Sequence, residues 1–391
     1  MKIKVLGIGA GGNKAAINLL ERGILDETDV KLLNTTFDDI PDEYKNNKSN
    51  LAIQFSSELG GCGKEPSEGY KAIVNAVQTK KIDLASFINE DTQCVCLVTS
   101  TEGGTGCGAT PIIAKYYLAM NLPVHIFALI GFNDDIRGIK NTLKFFKNLD
   151  SNITLHTIKN TEFLDYTGNH LKAEEAANEE FANEIDILIG SKMIPSVQNI
   201  DPKDMYKLVT TPGYMHISHI SLAGVKNQEA FNKAVQEAFD NIKCFDFDKS
   251  AKRLGVIING SEKIQDAVDH NFEVIKRYIG EPYENFRHIQ NSEYDKSEWM
   301  DIIISGMNFP EKAIVDLNNL YKEVKDKANT STNSFDDIFS EIDLDDDDEF
   351  DMGVRKIKDK NSVDKLFSSI VSEKTDIKNV VIKKDNIDDE Y

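Results

Sequence analysis

The sequence predicts an α/β protein in four successive parts. A glycine-loop domain occupies residues 1–170, a central helix 171–195, a loop and a second α+β domain 196–315, and an acidic, largely disordered tail 316–391. Three observations predict it. Short apolar runs of strand length alternate with helix-like segments from Ile3 onward, two of the strand-to-helix junctions are rich in glycine, and the composition turns to Ser, Asn and acid from about Asn329.

Ile3–Leu6 is the first strand, and GIGAGGNKAAINLL follows as turn and helix, with Gly7, Gly9 and Gly12 in a GxGxxG pattern. A dinucleotide-binding fold wants an acidic residue at the end of the second strand to hold a ribose. Here that strand, Val30–Leu33, ends in Asn34. The most informative stretch is Thr99–Pro111, TSTEGGTGCGATP, set between the apolar run Cys94–Val98 and the helix-like IIAKYYLAM. A strand entering a glycine-rich turn that opens a helix leaves unpaired N–H groups and the positive end of the helix dipole aimed at one spot, which suits phosphate. Gly103, Gly104, Gly106 and Gly108 let backbone approach an anion, and Thr105 adds a hydroxyl.

Leu59–Gly69, LGGCGKEPSEG, reads either as a surface turn or as a third phosphate loop charged by Lys64. Because Gly63-Lys64 continues as Glu65, the GxxxxGK[ST] loop is absent. Val124–Ile130 is a further buried strand leading to GFNDDIRG, and Ile153–Ile158 is another, ending in Lys159-Asn160-Thr161. Over Leu171–Ile194, apolar residues spaced by three and four (Ala173, Ala177, Phe181, Ile185, Leu188) predict one continuous amphipathic helix. SVQNIDPKD at Ser196–Asp204 taken alone is a helix start with an Asp cap. Phe231–Phe239 and Glu262–Ile279 read as helices, Leu254–Asn259 and Trp299–Ser305 as strands.

The net charge of −20 argues against direct nucleic-acid binding, which draws on Lys and Arg at phosphates. Five cysteines without a CxxC pair or matching His spacing predict reduced thiols, with Cys94 and Cys96 packed on one strand face, and no protein metal site. No apolar run reaches spanning length, and the opening Met-Lys-Ile-Lys reads as strand, so a cytoplasmic protein without a transmembrane segment is expected. In the tail, Asp336–Asp351 carries ten acidic residues and no basic one. Phe335, Ile338, Phe339 and Ile342, then Val363, Leu366, Phe367 and Ile370, fall at helical spacing there, either by chance or as docking peptides for a partner.

GGTGCG resembles the GGGTGTG or GGGTGSG signature of the tubulin/FtsZ superfamily, GTPases that polymerise into filaments. Glu102 stands where that family has its first glycine, and Cys107 where it has Thr or Ser. The resemblance covers about residues 1–308 and implies a Rossmann-like GTPase domain. It places Gly9, Ala10, Gly11, Gly12 and Asn13 in the first nucleotide loop, Asn34-Thr35 at the family's NT dipeptide, and Gly63 and Lys64 at the terminal phosphate. Gly103, Gly104, Thr105 and Gly106 form the main phosphate loop; Asn133 and Arg137 face the ribose, and Asn160 meets the base. On the central helix Phe181 reads either as the aromatic that stacks on guanine or as core, and Asn183 and Asp186 compete to read the base edge. Asn199, Asp201 and Asp204 match the family's NxDxxD catalytic loop.

The implied ligands are GTP and Mg²⁺, the metal mainly on phosphate oxygens and water. The implied partner is the chain itself, stacked head to tail so that hydrolysis is completed across the subunit interface, with an adaptor protein possible on the tail. No division-type C-terminal peptide is found, which favours the plasmid- or phage-borne branch that segregates or positions DNA over cell division. Two other classes are weighed against this one. An NAD-dependent Rossmann oxidoreductase explains the first glycine loop but neither the second nor Asn34, and a non-polymerising interaction protein would keep the pocket only for its shape.

Overall fold

The structure is a computed structural model that describes residues 1–45, 50–56, 60–196 and 198–330. Its strands are β1 (Ile3–Ile8), β2 (Val30–Asn34), β3 (Ala52–Gln54), β4 (Cys94–Ser100), β5 (Val124–Ile130), β6 (Thr154–Lys159), β7 (Gly213–Ser221), β8 (Arg253–Asn259), β9 (Glu284–Gln290) and β10 (Trp299–Met307). They form a ten-stranded sheet in the order β3-β2-β1-β4-β5-β6-β7-β10-β8-β9. The pairs from β3 to β7 are parallel, β10 is antiparallel to both β7 and β8, and β9 is parallel to β8. β1, β5 and β10 are buried along their whole length, as expected of strands covered on both faces, and this is why they read as continuous apolar runs.

The helices of the first half are α1 (Gly9–Glu21), α2 (Asp42–Lys45), α3 (Pro66–Gln78), α4 (Gly104–Ala119), α5 (Ile136–Lys147) and α6 (Thr161–Thr167). Those that follow are α7 (His170–Ile189), α8 (Pro202–Thr210), α9 (Gln228–Asp240), α10 (Glu262–Ala267), α11 (Glu273–Ile279) and α12 (Glu311–Thr330). α3, α4, α5 and α9 cover one face of the sheet; α1, α7 and α8 cover the other.

Several sequence expectations change here. The two domains read from the sequence share their cores: on each face one apolar cluster runs from the β1–β6 half into the β7–β10 half. The halves join through β6 and β7, which pair only at Thr154–Gly213 and Leu155–Tyr214. Beyond that point the gap is filled by residues 243–245. Lys159 N–H donates to Lys243 C=O (2.8 Å), and Phe245 N–H donates to Thr157 Oγ1 and Tyr214 Oη (3.0 and 3.1 Å).

The central helix ends at Ile189, where Gly190 turns to φ 71° and caps it, so the stretch up to Ile194 is loop. The segment 262–279 is two short helices broken before Phe272, at φ 54°. Residues 316–330, read as the start of a disordered tail, belong to α12, which packs on α5 and buries Leu317. The acidic run and both apolar tail motifs lie outside the described residues.

Candidate functional site

The carboxyl ends of β1, β2, β4 and β5 open onto a cleft of about 400 Å³. In open parallel sheets this edge is where ligands sit, because successive loops fan out from it. α1 leaves β1 directly and α4 leaves β4 through Gly103; neither helix start has a side-chain cap or an acidic residue in its first turn. Their first N–H groups therefore point at the cleft without a side-chain acceptor, an anion-binding arrangement. Glycine at these turns also serves packing. A Cβ on Gly12 would sit 2.1 Å from Val98 O and one on Gly106 2.0 Å from Thr99 Oγ1, whereas one on Gly103 would meet nothing within 4 Å.

Three polar atoms on the cleft wall are shielded from solvent and have no hydrogen-bond partner among the described residues: Asn34 Nδ2, Asn160 Oδ1 and Glu102 Oε1. Asn13, fully buried behind the wall, donates to Leu33 C=O (3.4 Å) and leaves its Oδ1 in the same state. Thr35 and Thr105 bridge the second and fourth strand ends through their hydroxyls at 2.8 Å. Orphaned polar groups are costly unless a ligand or water completes them.

The remaining loops are pinned to one another. Lys64 pairs with Asp135 at 2.7 Å, a contact that holds the Asp135 carboxyl below the usual carboxylate range. Arg137 reaches Gly63 C=O (3.4 Å), and Asn141 Nδ2 donates to both Lys64 C=O (2.8 Å) and Glu102 C=O (2.9 Å). The Glu102 side chain lies in a slot that only glycine permits: a Cβ on Gly131 would fall 1.9 Å from its Cδ and one on Gly138 2.9 Å away. Burial raises its carboxyl above the ordinary value, partly offset by the Asn133 N–H. The fourth wall is α7, which presents Glu174 and Asn178 one turn apart, Glu174 pairing with Lys14 of α1 at 3.5 Å.

No protein-family model matches the chain. By sequence it is similar to the cell division protein FtsZ of Aquifex aeolicus (strain VF5), 26% identical over 320 residues, covering 80% of this chain and 84% of that protein. By structure it is similar to Clostridium botulinum phage c-st TubZ, with a TM-score of 0.66 at 17% identity over 84% of this chain and 99% of that one. A GTPγS-form protofilament of Bacillus thuringiensis serovar israelensis TubZ gives a TM-score of 0.68 at 16% identity, covering 84% and 94%. The chain has the tubulin/FtsZ fold.

Within this superfamily fold the sequence-expected residues fall into three groups. Gly9, Ala10, Gly11, Asn34, Lys64, Gly103, Gly104, Thr105, Gly106 and Asn160 line the cleft. Gly12, Asn13, Gly63, Asn133 and Arg137 lie behind it or in the loops that brace it. The third group is a correction. Phe181 is fully buried, its ring edge-on to Phe127 at 4.9 Å, because it is on the face of α7 that packs on the sheet. Asn183 accepts from Arg22 at 2.8 Å on the exterior, and Asp186 sits at the far end of α7, bound to Ser191 and to Lys192 at 3.4 Å. Glu174 and Asn178 take the place expected of these residues at the cleft. An i, i+4 polar pair in the first turns of a helix that follows Asn160 is the sequence signal that marks them.

Past the far end of α7, the loop before α8 and the first turn of α8 carry the remaining three. Asn199 is held by Ser196 through both ends of its amide, and Asp201 caps α8 by accepting from Asp204 N–H at 2.8 Å. The Asp204 carboxylate meets only Lys207, at 3.4 Å, among the described residues.

Proposed function

We propose that the chain binds GTP with Mg²⁺ in this cleft, hydrolyses it, and polymerises head to tail into dynamic cytoskeletal filaments in the cytoplasm, in the service of plasmid or phage DNA segregation or positioning. The observation that carries the reading is the convergence of two uncapped helix N-termini on a cleft whose wall holds three unpartnered buried polar atoms. N–H groups at the starts of α1 and α4 receive phosphate oxygens, with Thr105 and Lys64 beside them. Asn160, Glu174 and Asn178 face the base, and a carboxylate on that wall favours guanine, whose edge offers two N–H donors, over adenine. Mg²⁺ would be held mainly through phosphate oxygens and water, and would offset charge at the terminal phosphate.

Hydrolysis is assigned to the first turn of α8 and the loop before it. Asp204 is its main carboxylate, since Asn199 and Asp201 are occupied with backbone. α7 has 20 residues, so it spans about 30 Å, and this loop lies beyond its far end. The carboxylate therefore serves the next subunit's cleft, where it orients and polarises the attacking water. Such a heterologous contact builds an open filament. Supporting this, solved neighbours of the same fold are a protofilament in a GTPγS form and a two-stranded filament.

Cell division is the second role, favoured by the names of sequence relatives called cell division protein FtsZ. Labelled GTP competed with ATP and NAD tests the ligand: equal affinity for ATP, or binding of NAD alone, sinks the reading. Light scattering with GTP separates a filament protein from a non-polymerising one.

A further inference from the structure

Five cysteines are spread along the chain, and the fold seals four of them. Cys94 and Cys96 on β4, Cys107 in the first turn of α4 and Cys244 in the seam beside β7 are each no more than 1% exposed. Burial pushes the thiols of Cys107 and Cys244 up to about 12, which leaves almost no reactive thiolate near neutral pH. Cys62 alone is partly exposed, and it lines the cleft.

Its Sγ lies 3.3 Å from Thr105 Oγ1 and 3.7 Å from Thr35 Oγ1. A Cβ built on Gly104 would come within 2.7 Å of the Cys62 Cβ, so the residue sits directly over the start of α4. The same wall holds Asn34, 2% exposed, whose Nδ2 has no partner among the described residues. The thiol thus overlooks a spot that a ligand is needed to complete.

We propose that Cys62 is a thiol-modification site whose adduct and the nucleotide's phosphates exclude each other, so that small disulfides switch off nucleotide binding and, with it, assembly. This rests on the nucleotide reading above. In the step, the Cys62 thiolate attacks one sulfur of a disulfide such as oxidised glutathione. A new S–S bond forms to Cys62, the old S–S bond breaks, and the departing sulfur leaves as a thiolate that takes up a proton. Cys62 is oxidised, the departing thiol is reduced, and no other oxidant enters. Excess free thiol runs the exchange backwards. A tripeptide attached at Cys62 fills the phosphate end of a cleft of about 400 Å³.

The experiment treats the full chain with oxidised glutathione, maps the adduct by mass spectrometry, and measures labelled-GTP binding before and after. One adduct at Cys62, a fall in affinity of about tenfold or more (1.4 kcal/mol per factor of ten), recovery with dithiothreitol, and slower modification when GTP is bound first are the expected results. Cys62→Ser, whatever its starting affinity, should bind GTP equally before and after treatment. A treated chain modified at Cys62 that still binds GTP as before overturns the exclusion alone, as does modification at a buried cysteine instead. An untreated chain that binds no GTP overturns the nucleotide reading itself.

Discussion

Gly103 precedes α4 and Gly106 lies in its first turn, and the two face different things. From the sequence, alanine at Gly104 or Gly106 is expected to abolish nucleotide binding while sparing the fold. The packing says otherwise: a Cβ on Gly106 meets Thr99 Oγ1 at 2.0 Å, and one on Gly104 meets the backbone N of Glu65 at 2.7 Å. Gly106→Ala should therefore lower the urea midpoint, costing roughly 1–3 kcal/mol through overpacking. Gly103→Ala is the cleaner probe, since its Cβ enters open space at the helix start. It should keep the wild-type urea midpoint and lose labelled-GTP affinity by about tenfold. Unchanged affinity in that variant would show that the phosphates lie elsewhere.

At the scale of elements, α7 is tied to β6 by a buried pair, His156 Nε2 to Glu184 Oε1 at 3.0 Å, with the two side chains 1% and 5% exposed. Burial raises the Glu184 carboxyl from 4.5 to about 7, partly offset by His156. His156 is pulled down by burial but raised on balance, chiefly by Glu184. With the folded-state value above the unfolded one, Glu184 contributes stability that is complete below pH 4.5 and lost as pH rises through about 7. The difference in melting temperature between wild type and Glu184→Gln should therefore move against wild type over that window. A difference independent of pH would remove the stabilising role of the protonated Glu184 carboxyl. His125 and His216, both depressed by burial, act oppositely in wild type and variant alike, which is why the difference is the quantity to measure.

α12 supplies a second test at this scale. Leu317 is 5% exposed against the core, so Leu317→Ala should cost about 2–5 kcal/mol, read as a shift in urea midpoint. A silent substitution would mean that residues 316–330 behave as the disordered tail the composition suggests.

For the whole molecule, α7 starts beside the cleft, spans about 30 Å by its 20 residues, and ends before the segment that leads to Asp204. GTP turnover per subunit should accordingly rise steeply with protein concentration above a threshold. Asp204→Ala should bind GTP and assemble into filaments that persist, since the hydrolysis that loosens the interface is lost. Turnover that stays constant on dilution, or undiminished hydrolysis in the variant, would remove the shared site.

What the sequence determines by itself is local and covalent in reach. A strand, a glycine turn and a helix start are contiguous, so the junctions at Gly9 and Gly104 are legible from spacing alone, as are the buried strands with their unbroken apolar runs. β7 and β9 escape notice because their buried and exposed residues are mixed, and α12 because its polar, charged composition hides a single packed stripe. Only the tertiary structure decides which face of α7 meets the cleft. Phe181 and Asn178 are three residues apart and equally plausible in one dimension, yet the sheet claims the aromatic through Phe127 and leaves the polar residue to the cleft. Burial of apolar area rewards that choice, and the rotation of the helix then carries Glu174 to the wall and Asn183 away from it.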